Sequence, residues 1–499
     1  MVSFMKLPKP KVKDVSTREL SQKFNLDSNS IDVLVNGISN KSKEIDVNEL
    51  FVAIPGEKTH GAKFVQEAIQ NGAKAVLTDS IGANLISENS VPVLISKDLK
   101  KIVGEVSSYI YENPSHKMDV FGVTGTNGKT TAAWLLKAGL ENCGIETGLL
   151  GTAGIDIPGL KVESERTTPE ATELQKILAL AFQTGAKAIS MEVSSHALTL
   201  GRVNGTKFKA VGFTNLSQDH LDFHKNMQDY FEAKSLLFDD YFSKYAVITT
   251  NDSWGKTLEK KTKLNVETLG GDVENYWRVT DITAALGHVD FKLNNFNKQS
   301  FKINLSFAGS FNAYNASLAI ALANKLDIDL LRFIKGLENI QIPGRMQPVI
   351  VPGAPLAIVD YAHSPEAIEN VLSTLRKETK GNLITIIGAG GNRDKEKRPK
   401  MGSAVEKYSD LIIVTDDNPR DEKPEDIRKL IISGISDKKN VSEIGNRKEA
   451  IQKAISMANE FDTIAVLGKG HENYQEIKGE VLSFSDFLVT KNLMEEKYK

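Results

Sequence analysis

The stretch "DVFGVTGTNGKTTAAWLLKAGL", residues 119–140, runs from an apolar segment through a glycine-rich turn into a helical pattern. A phosphate cradle needs inward-turned backbone N–H groups, a lysine for the terminal phosphates and a neighbouring hydroxyl for a metal ion. Gly125 and Gly128 permit the close approach, Lys129 carries the charge, and Thr130 or Thr131 offers the hydroxyl. The helix N-terminus behind the loop adds partial positive charge. The common form of this loop has a further glycine, at the place where this chain has Val123. That departure identifies the loop more than it impairs it.

At 499 residues the chain is too long for one core, and about 150 residues per domain gives about three domains. Lys plus Arg total 62 against 64 Asp plus Glu, so no general attraction to nucleic acid or a membrane surface follows. Anionic ligands must then be held by local clusters. Cys143 is the single cysteine, which excludes an internal disulfide and a multi-cysteine metal cage and suits a reducing cytoplasm. The N-terminal "MVSFMKLPKPKVKD" lacks the apolar core of a signal peptide, and no run approaches the ~18 apolar residues of a membrane span. A soluble cytoplasmic protein without membrane insertion is expected.

Residues 1–112 read as a small mixed α/β domain, with "LFVAIPG" (50–56) and "AKAVLTD" (73–79) as strands around the helical "FVQEAIQNG" (64–72). Residues 113–342 alternate apolar strands ("DVFGVTG", "AISMEVS", "KAVGFTNLS", "YAVITTND") with helical patterns, which predicts an α/β domain with a mostly parallel sheet. Near its end "FKINLSF" (301–307) alternates, predicting an antiparallel strand that covers one side of the domain. Residues 343–499 repeat the strand-to-loop rhythm in "LAIVDYAHSP", "LITIIGAGGNRD", "DLIIVTDDNPR" and "TIAVLGKGHE", a Rossmann-like pattern. Open parallel sheets bind ligands beyond their strand C-termini, where these polar clusters fall.

Several clusters carry chemistry in this setting. "SMEVSSHAL" (190–198) ends a strand in Glu192, where a magnesium ligand is wanted downstream of a phosphate loop. "NLSQDHLDFH" (215–224) sets His220 and His224 at helical spacing, but a zinc-protease helix needs glutamate where Leu221 stands, so zinc is set aside. Lys234, on an amphipathic helix, reads by itself as a solvated lysine. "ERTTPEA" (165–171) reads as a helix N-cap with proline in the first turn, and Arg202 of "GRVNG" as a surface arginine. "GNRDKEKRP" (391–399), "DDNPRDEKPED" (416–426) and "GKGHE" (468–472) offer both charge signs, as a free amino acid requires.

The "TGTNGKT" loop and the clusters around it resemble those of the Mur ligase family, ATP-dependent amide-forming enzymes of bacterial cell-wall (peptidoglycan) precursor synthesis, over nearly the whole chain and in three domains. The resemblance implies ATP bound by Gly125, Thr126, Asn127, Gly128, Lys129, Thr130 and Thr131, with Asn312, Arg345 and Asp360 reaching the nucleotide. It implies magnesium at Thr130, Glu192, His220 and a carbamylated Lys234, with Lys129, Glu192, His220, Lys234 and Arg345 as the catalytic set. Thr167, Thr168, Ser194 and Arg202 would contact the muramoyl-peptide part of a UDP-N-acetylmuramoyl dipeptide. Ser42 would lie in the uridine-nucleotide segment, where Asn-Lys-Ser-Lys replaces a more usual aspartate, serine and arginine run. Arg393, Asp417, Asn418, Pro419, Arg420, Gly468 and Glu472 would bind the incoming amino acid. Arginine at 420 matches the branch that adds meso-diaminopimelate, whose far end carries a second carboxylate. The rival expectations are the same ligation with lysine, a folate polyglutamate ligase, and a nucleotide-gated binding module without ligation.

Overall fold

The computed structural model describes residues 6–28, 31–56, 59–86, 91–164, 166–285 and 287–498. Residues 1–5, Glu57 and Lys58 of the first-domain segment, and Glu165 of "ERTTPEA" lie outside the described residues. Three separate α/β sheets carry the architecture, one for each of three domains.

The first sheet has five strands, ordered Asp27–Ser28, Val93–Ile95, Ala73–Thr78, Glu49–Ala53 and Ile38–Ser39, parallel except for the outermost Asp27–Ser28. The central sheet has eleven strands. Six parallel pairings join Thr147–Gly151, Ala188–Glu192, Asp119–Thr124, Ala210–Phe213, Tyr245–Thr249, Asn265–Gly270 and Trp277–Ala285. The first five of these are buried almost throughout and read as continuous apolar runs, whereas Asn265–Gly270 and Trp277–Ala285 are partly exposed. Phe121 and Val123 pack on one side against Leu135, Leu136 and Leu318 of the helices Lys129–Asn142 and Phe311–Ala323. Val120 packs on the other side with Leu174 and Ile177 of Ala171–Gln183. Both helix layers are thus fixed by alternate residues of one strand.

The strand Ser300–Leu305 is antiparallel and alternates as read, with Phe301, Ile303 and Leu305 buried, and it closes one side of the domain as the last strand of the central sheet, paired with His288–Asn295. The ladder satisfies the backbone groups on its inner edge while its apolar face extends the core already built by the parallel strands. The helix after "ERTTPEA" starts later than the cap reading requires. It begins at Ala171, and Glu170 at the N-cap makes no side-chain cap bond. Thr168 spends its hydroxyl elsewhere, donating to the Glu192 carbonyl at 2.9 Å. His220 and His224 sit in a turn outside any helix, and His220 has a left-handed φ of 55°.

The third sheet orders its parallel strands Leu356–Asp360, Thr463–Leu467, Leu383–Ile387, Leu411–Val414 and Val441–Glu443, with antiparallel Gln347–Val349 at the edge. Helices cover both faces. Where Thr463–Leu467 ends, Arg447 donates from Nε and Nη2 to the two Asp486 oxygens, each at 2.7 Å, and from Nη2 to the Leu467 carbonyl at 2.9 Å. Both side chains are fully buried, so removing one partner strands a charge. Arg447→Ala is expected to lower unfolding stability by about 3–5 kcal/mol in urea titration, with Arg447→Met/Asp486→Leu losing markedly less.

Candidate functional site

A cavity of about 830 Å³ opens between the central and third domains. The phosphate loop forms its floor. Gly128 has φ 87°, and a Cβ there would meet Asn315 Oδ1 at 2.2 Å, so only glycine fits. Neighbouring side chains pin the loop: Asn127 N–H donates to Asn215 Oδ1 at 3.0 Å, and Thr214 donates to the Asn127 carbonyl at 2.6 Å. Lys129 folds back to donate to the carbonyls of Gly125 at 3.1 Å and Thr126 at 2.8 Å. Burial lowers its pKa, against the opposing pull of Glu192 and Asp219.

A relay of hydrogen bonds crosses the cavity. Arg345 Nη2 donates to Thr130 Oγ1 at 2.9 Å, and Thr130 donates to Glu192 Oε2 at 2.9 Å. Glu192 also accepts from the Thr152 N–H at 2.8 Å. The Arg345 guanidinium lies over the Tyr361 ring, 4.4 Å from its centre. Asp360 uses both oxygens on backbone, accepting from Met346 N–H at 2.6 Å and Ala362 N–H at 2.7 Å, and so shapes the turn that carries Arg345. Burial raises its pKa despite Arg345.

Lys234 departs most from its solvated reading: it is 1% exposed. On the helix Met227–Ser235 its Nζ lies 4.5 Å from the Tyr230 ring centre and donates to the Gly125 carbonyl at 2.7 Å, the same oxygen that Lys129 uses. Burial pushes its pKa well below the ordinary value, Lys129 adds to this, and Asp219 opposes it. The neutral amine is therefore favoured.

The sequence reading missed Asp219. Its buried carboxylate meets Lys397 at 2.8 Å and His363 at 3.3 Å, both from the third domain. Burial works against its charge, but His220, Lys397 and His363 outweigh it and hold the pKa well below the carboxylate range. Burial also drives the pKa of His220 well down, with Asp219 opposing it. His224, left without a role, accepts or donates at 2.9 Å with Ser195 Oγ and packs on Tyr230. Its neighbour His196 packs 4.9 Å from His220.

Toward the mouth, Thr167, Ser194 and Arg202 line the cavity, while Thr168 lies behind them and braces the Ser194 N–H at 3.0 Å. Arg202 is held by Glu170 at 2.8 Å, a partner that the cap reading hid. Asn312 lines the cavity too, with its amide donating to the Ala308 carbonyl at 2.7 Å and accepting from Asn315 at 3.0 Å. Gly125 and Pro419 lie behind the lining. Ser42 is not brought to this cavity; it donates to Glu67, and its neighbours Ser39, Asn40, Lys41 and Glu44 line a small cleft with Thr172, Glu173 and Lys176.

Arg393, Asp417, Asn418, Arg420, Gly468 and Glu472 converge on the third-domain wall. Asn418 donates to Glu472 at 2.8 Å, and the buried Lys469, which was not singled out, donates to Asn418 Oδ1 and Glu472 Oε2, each at 3.0 Å. Gly468 has φ 115°, and a Cβ there would lie 2.6 Å from Asp417 Oδ2. Burial opposes the Asp417 charge, but Lys469, Arg447 and Arg420 lower its pKa overall. His471 reaches back to the Thr152 carbonyl at 3.1 Å. Among the described residues no group of three or more His, Cys, Asp or Glu forms a ready-made metal cage.

Residues 34–111 match the Mur ligase family catalytic domain, 123–323 the Mur ligase middle domain, and 344–470 the Mur ligase glutamate ligase domain. The chain belongs to the Mur ligase family. Membership makes it an ATP-dependent, amide-forming ligase. It is 44% identical to the UDP-N-acetylmuramoyl-L-alanyl-D-glutamate--2,6-diaminopimelate ligase of Aquifex aeolicus, covering 92% of this chain and 94% of that one. The protein of the same name from Corynebacterium glutamicum is 42% identical over 88% of this chain and 87% of its own. A solved structure of a ligase with that name superposes with a TM-score of 0.68 at 30% identity, covering 98% of this chain and all of the other.

In this Mur ligase Arg345 is the third-domain cation that touches the phosphate loop. Arg345→Ala is expected to lower kcat by about 10²–10³-fold, read as phosphate release at saturating ATP, with the circular dichroism spectrum unchanged.

Proposed function

We propose that this protein adds meso-diaminopimelate to the D-glutamate of UDP-N-acetylmuramoyl-L-alanyl-D-glutamate with ATP, in cytoplasmic peptidoglycan precursor synthesis. The observation that carries the reading is the single cavity that joins the phosphate loop and Glu192 to the Asp417–Arg420 and Gly468–Glu472 cluster. Relatives at 38–44% identity that bear the diaminopimelate ligase name support the choice of amino acid. The described residues contain no helix long and apolar enough to cross a membrane.

The first 112 residues hold the uridine nucleotide through the segment around Ser42, residues 113–342 hold ATP, and 343–499 hold the amino acid. The dipeptide's glutamate carboxylate attacks the γ-phosphorus of ATP; its oxygen–phosphorus bond forms as the bond to ADP breaks. The amine of diaminopimelate then attacks the acyl carbon of this acyl phosphate. A carbon–nitrogen bond forms, inorganic phosphate departs, and the amine loses a proton. Lys129 and Arg345 neutralise the transferring phosphoryl group, and the lobes exclude water from the acyl phosphate. Positioning two mutually repelling anions is the main task, so local positive charge governs the rate.

Thr130 and Glu192 offer the oxygen donors that magnesium prefers, close to one another and to the loop. A bare Lys234 amine does not suit a cation, whereas its carbamate does, and burial favours the neutral amine that takes up carbon dioxide. Together with His220 these residues would hold magnesium, which would supply charge neutralisation to the phosphoryl group. Thr167, Thr168, Ser194 and Arg202 orient the muramoyl peptide, and Asn312 and Asp360 support the nucleotide.

Phosphate release with ATP, magnesium and the muramoyl dipeptide nucleotide is expected with diaminopimelate, and at background level with lysine or no amine. Equal rates with lysine contradict the assignment. Arg420→Ala is expected to raise KM for diaminopimelate by about 10²-fold or more with ATP binding nearly unchanged. Protein equilibrated with ¹³C-bicarbonate is expected to show a carbamate carbon resonance that Lys234→Ala abolishes.

A further inference from the structure

Arg420 carries the second-carboxylate assignment, and its surroundings in the fold are unusual. Its backbone is left-handed, with φ 50°, and is gripped from both sides by the hairpin Tyr474–Ile477/Glu480–Ser483. Arg420 N–H donates to the Glu476 carbonyl at 3.1 Å, and Lys478 N–H donates to the Arg420 carbonyl at 2.8 Å. Its side chain is gripped as well. Nε donates to Glu476 Oε2 at 3.0 Å and Nη1 to the Gly391 carbonyl at 2.7 Å, while Nη2 has no acceptor among the described residues. Arg420 and Glu476 both line the cavity. The Glu476 N–H in turn donates to Asn418 Oδ1 at 3.0 Å, which ties the hairpin to the same cluster.

A guanidinium accepts a carboxylate either side-on, through Nε and Nη2, or end-on, through its two Nη groups. With Nε occupied the side-on edge is closed, and the hydrogens left for a ligand are those of Nη2 and the one on Nη1 that Gly391 does not use. We propose that Glu476 is a specificity-determining positioning residue: it holds the Arg420 fork so that its Nη edge, and no other, faces the distal carboxylate of the amino-acid substrate. This rests on the third-domain cluster being the amino-acid site. The pair is too exposed, at 19% and 33% of its side-chain surfaces, to matter much for stability. Its effect therefore falls on binding of the dicarboxylic amino acid, because a freed guanidinium must be reordered at each binding event.

The test is steady-state phosphate release by the full-length enzyme carrying Glu476→Ala, Glu476→Gln or Arg420→Ala. Glu476→Ala is expected to raise KM for diaminopimelate about tenfold, with kcat, KM for ATP and the melting temperature close to the unaltered enzyme. Glu476→Gln, whose amide oxygen still accepts from Nε, is expected to return KM to within about threefold. An unchanged or lowered KM in the alanine variant overturns the inference, as does equal loss in the glutamine and alanine variants. Arg420→Ala separates the two failures. If diaminopimelate use survives it, the amino-acid site itself is misassigned; if it is lost while Glu476→Ala is silent, only the role of Glu476 falls.

Discussion

Two lysine amines, the half-buried Lys129 and the buried Lys234, converge on the carbonyl oxygen of Gly125 at the floor of the cavity. Burial disfavours charge on both, Lys129 adds to this at Lys234 and Arg345 at Lys129, so a negative charge brought to this corner of the protein favours their charged forms. Much of the architecture serves this corner. The left-handed glycines bend the loop toward the amines, Glu192 and Asp219 set carboxylates at its edge, and Arg345 adds a guanidinium from the third domain. Phosphate and a carboxyl group are the chemical partners such a corner stabilises, and their meeting is the reaction of an amide-forming ligase.

The lobes are joined at the chemistry and not beside it. Arg345 to Thr130, Lys397 and His363 to Asp219, and His471 to Thr152 are all contacts between the central and third domains, and all lie around the phosphate loop. The third domain is therefore fastened to the central one around the phosphate loop itself. On the proposed reading, such a geometry would allow ligation only with both halves in place and would keep the acyl phosphate from water.

The phosphate loop, Glu192 and the third-domain clusters were legible because each stands at a strand end, and a strand followed by glycine and polar residues can be read from neighbours in sequence. What was not legible depends on partners far along the chain. Lys234 sits among residues whose pattern allows a solvated face, and only Tyr230, Gly125 and the packing of its helix reveal it as buried. Asp219 gains its meaning from Lys397, 178 positions away. Thr168 resembled a helix cap in sequence but is recruited across the sheet by the Glu192 carbonyl and Ser194. Likewise "FKINLSF" showed its buried face but not which partner strand would receive it, because alternation specifies a face and leaves the neighbour open.

The most direct measurement of the central claim is a crystal structure of the protein with a non-hydrolysable ATP analogue. The account predicts the terminal phosphate within hydrogen-bonding reach of Lys129 and Arg345, with Glu192 and Lys234 bordering the same phosphate. A nucleotide whose terminal phosphate lies remote from these four side chains would contradict it.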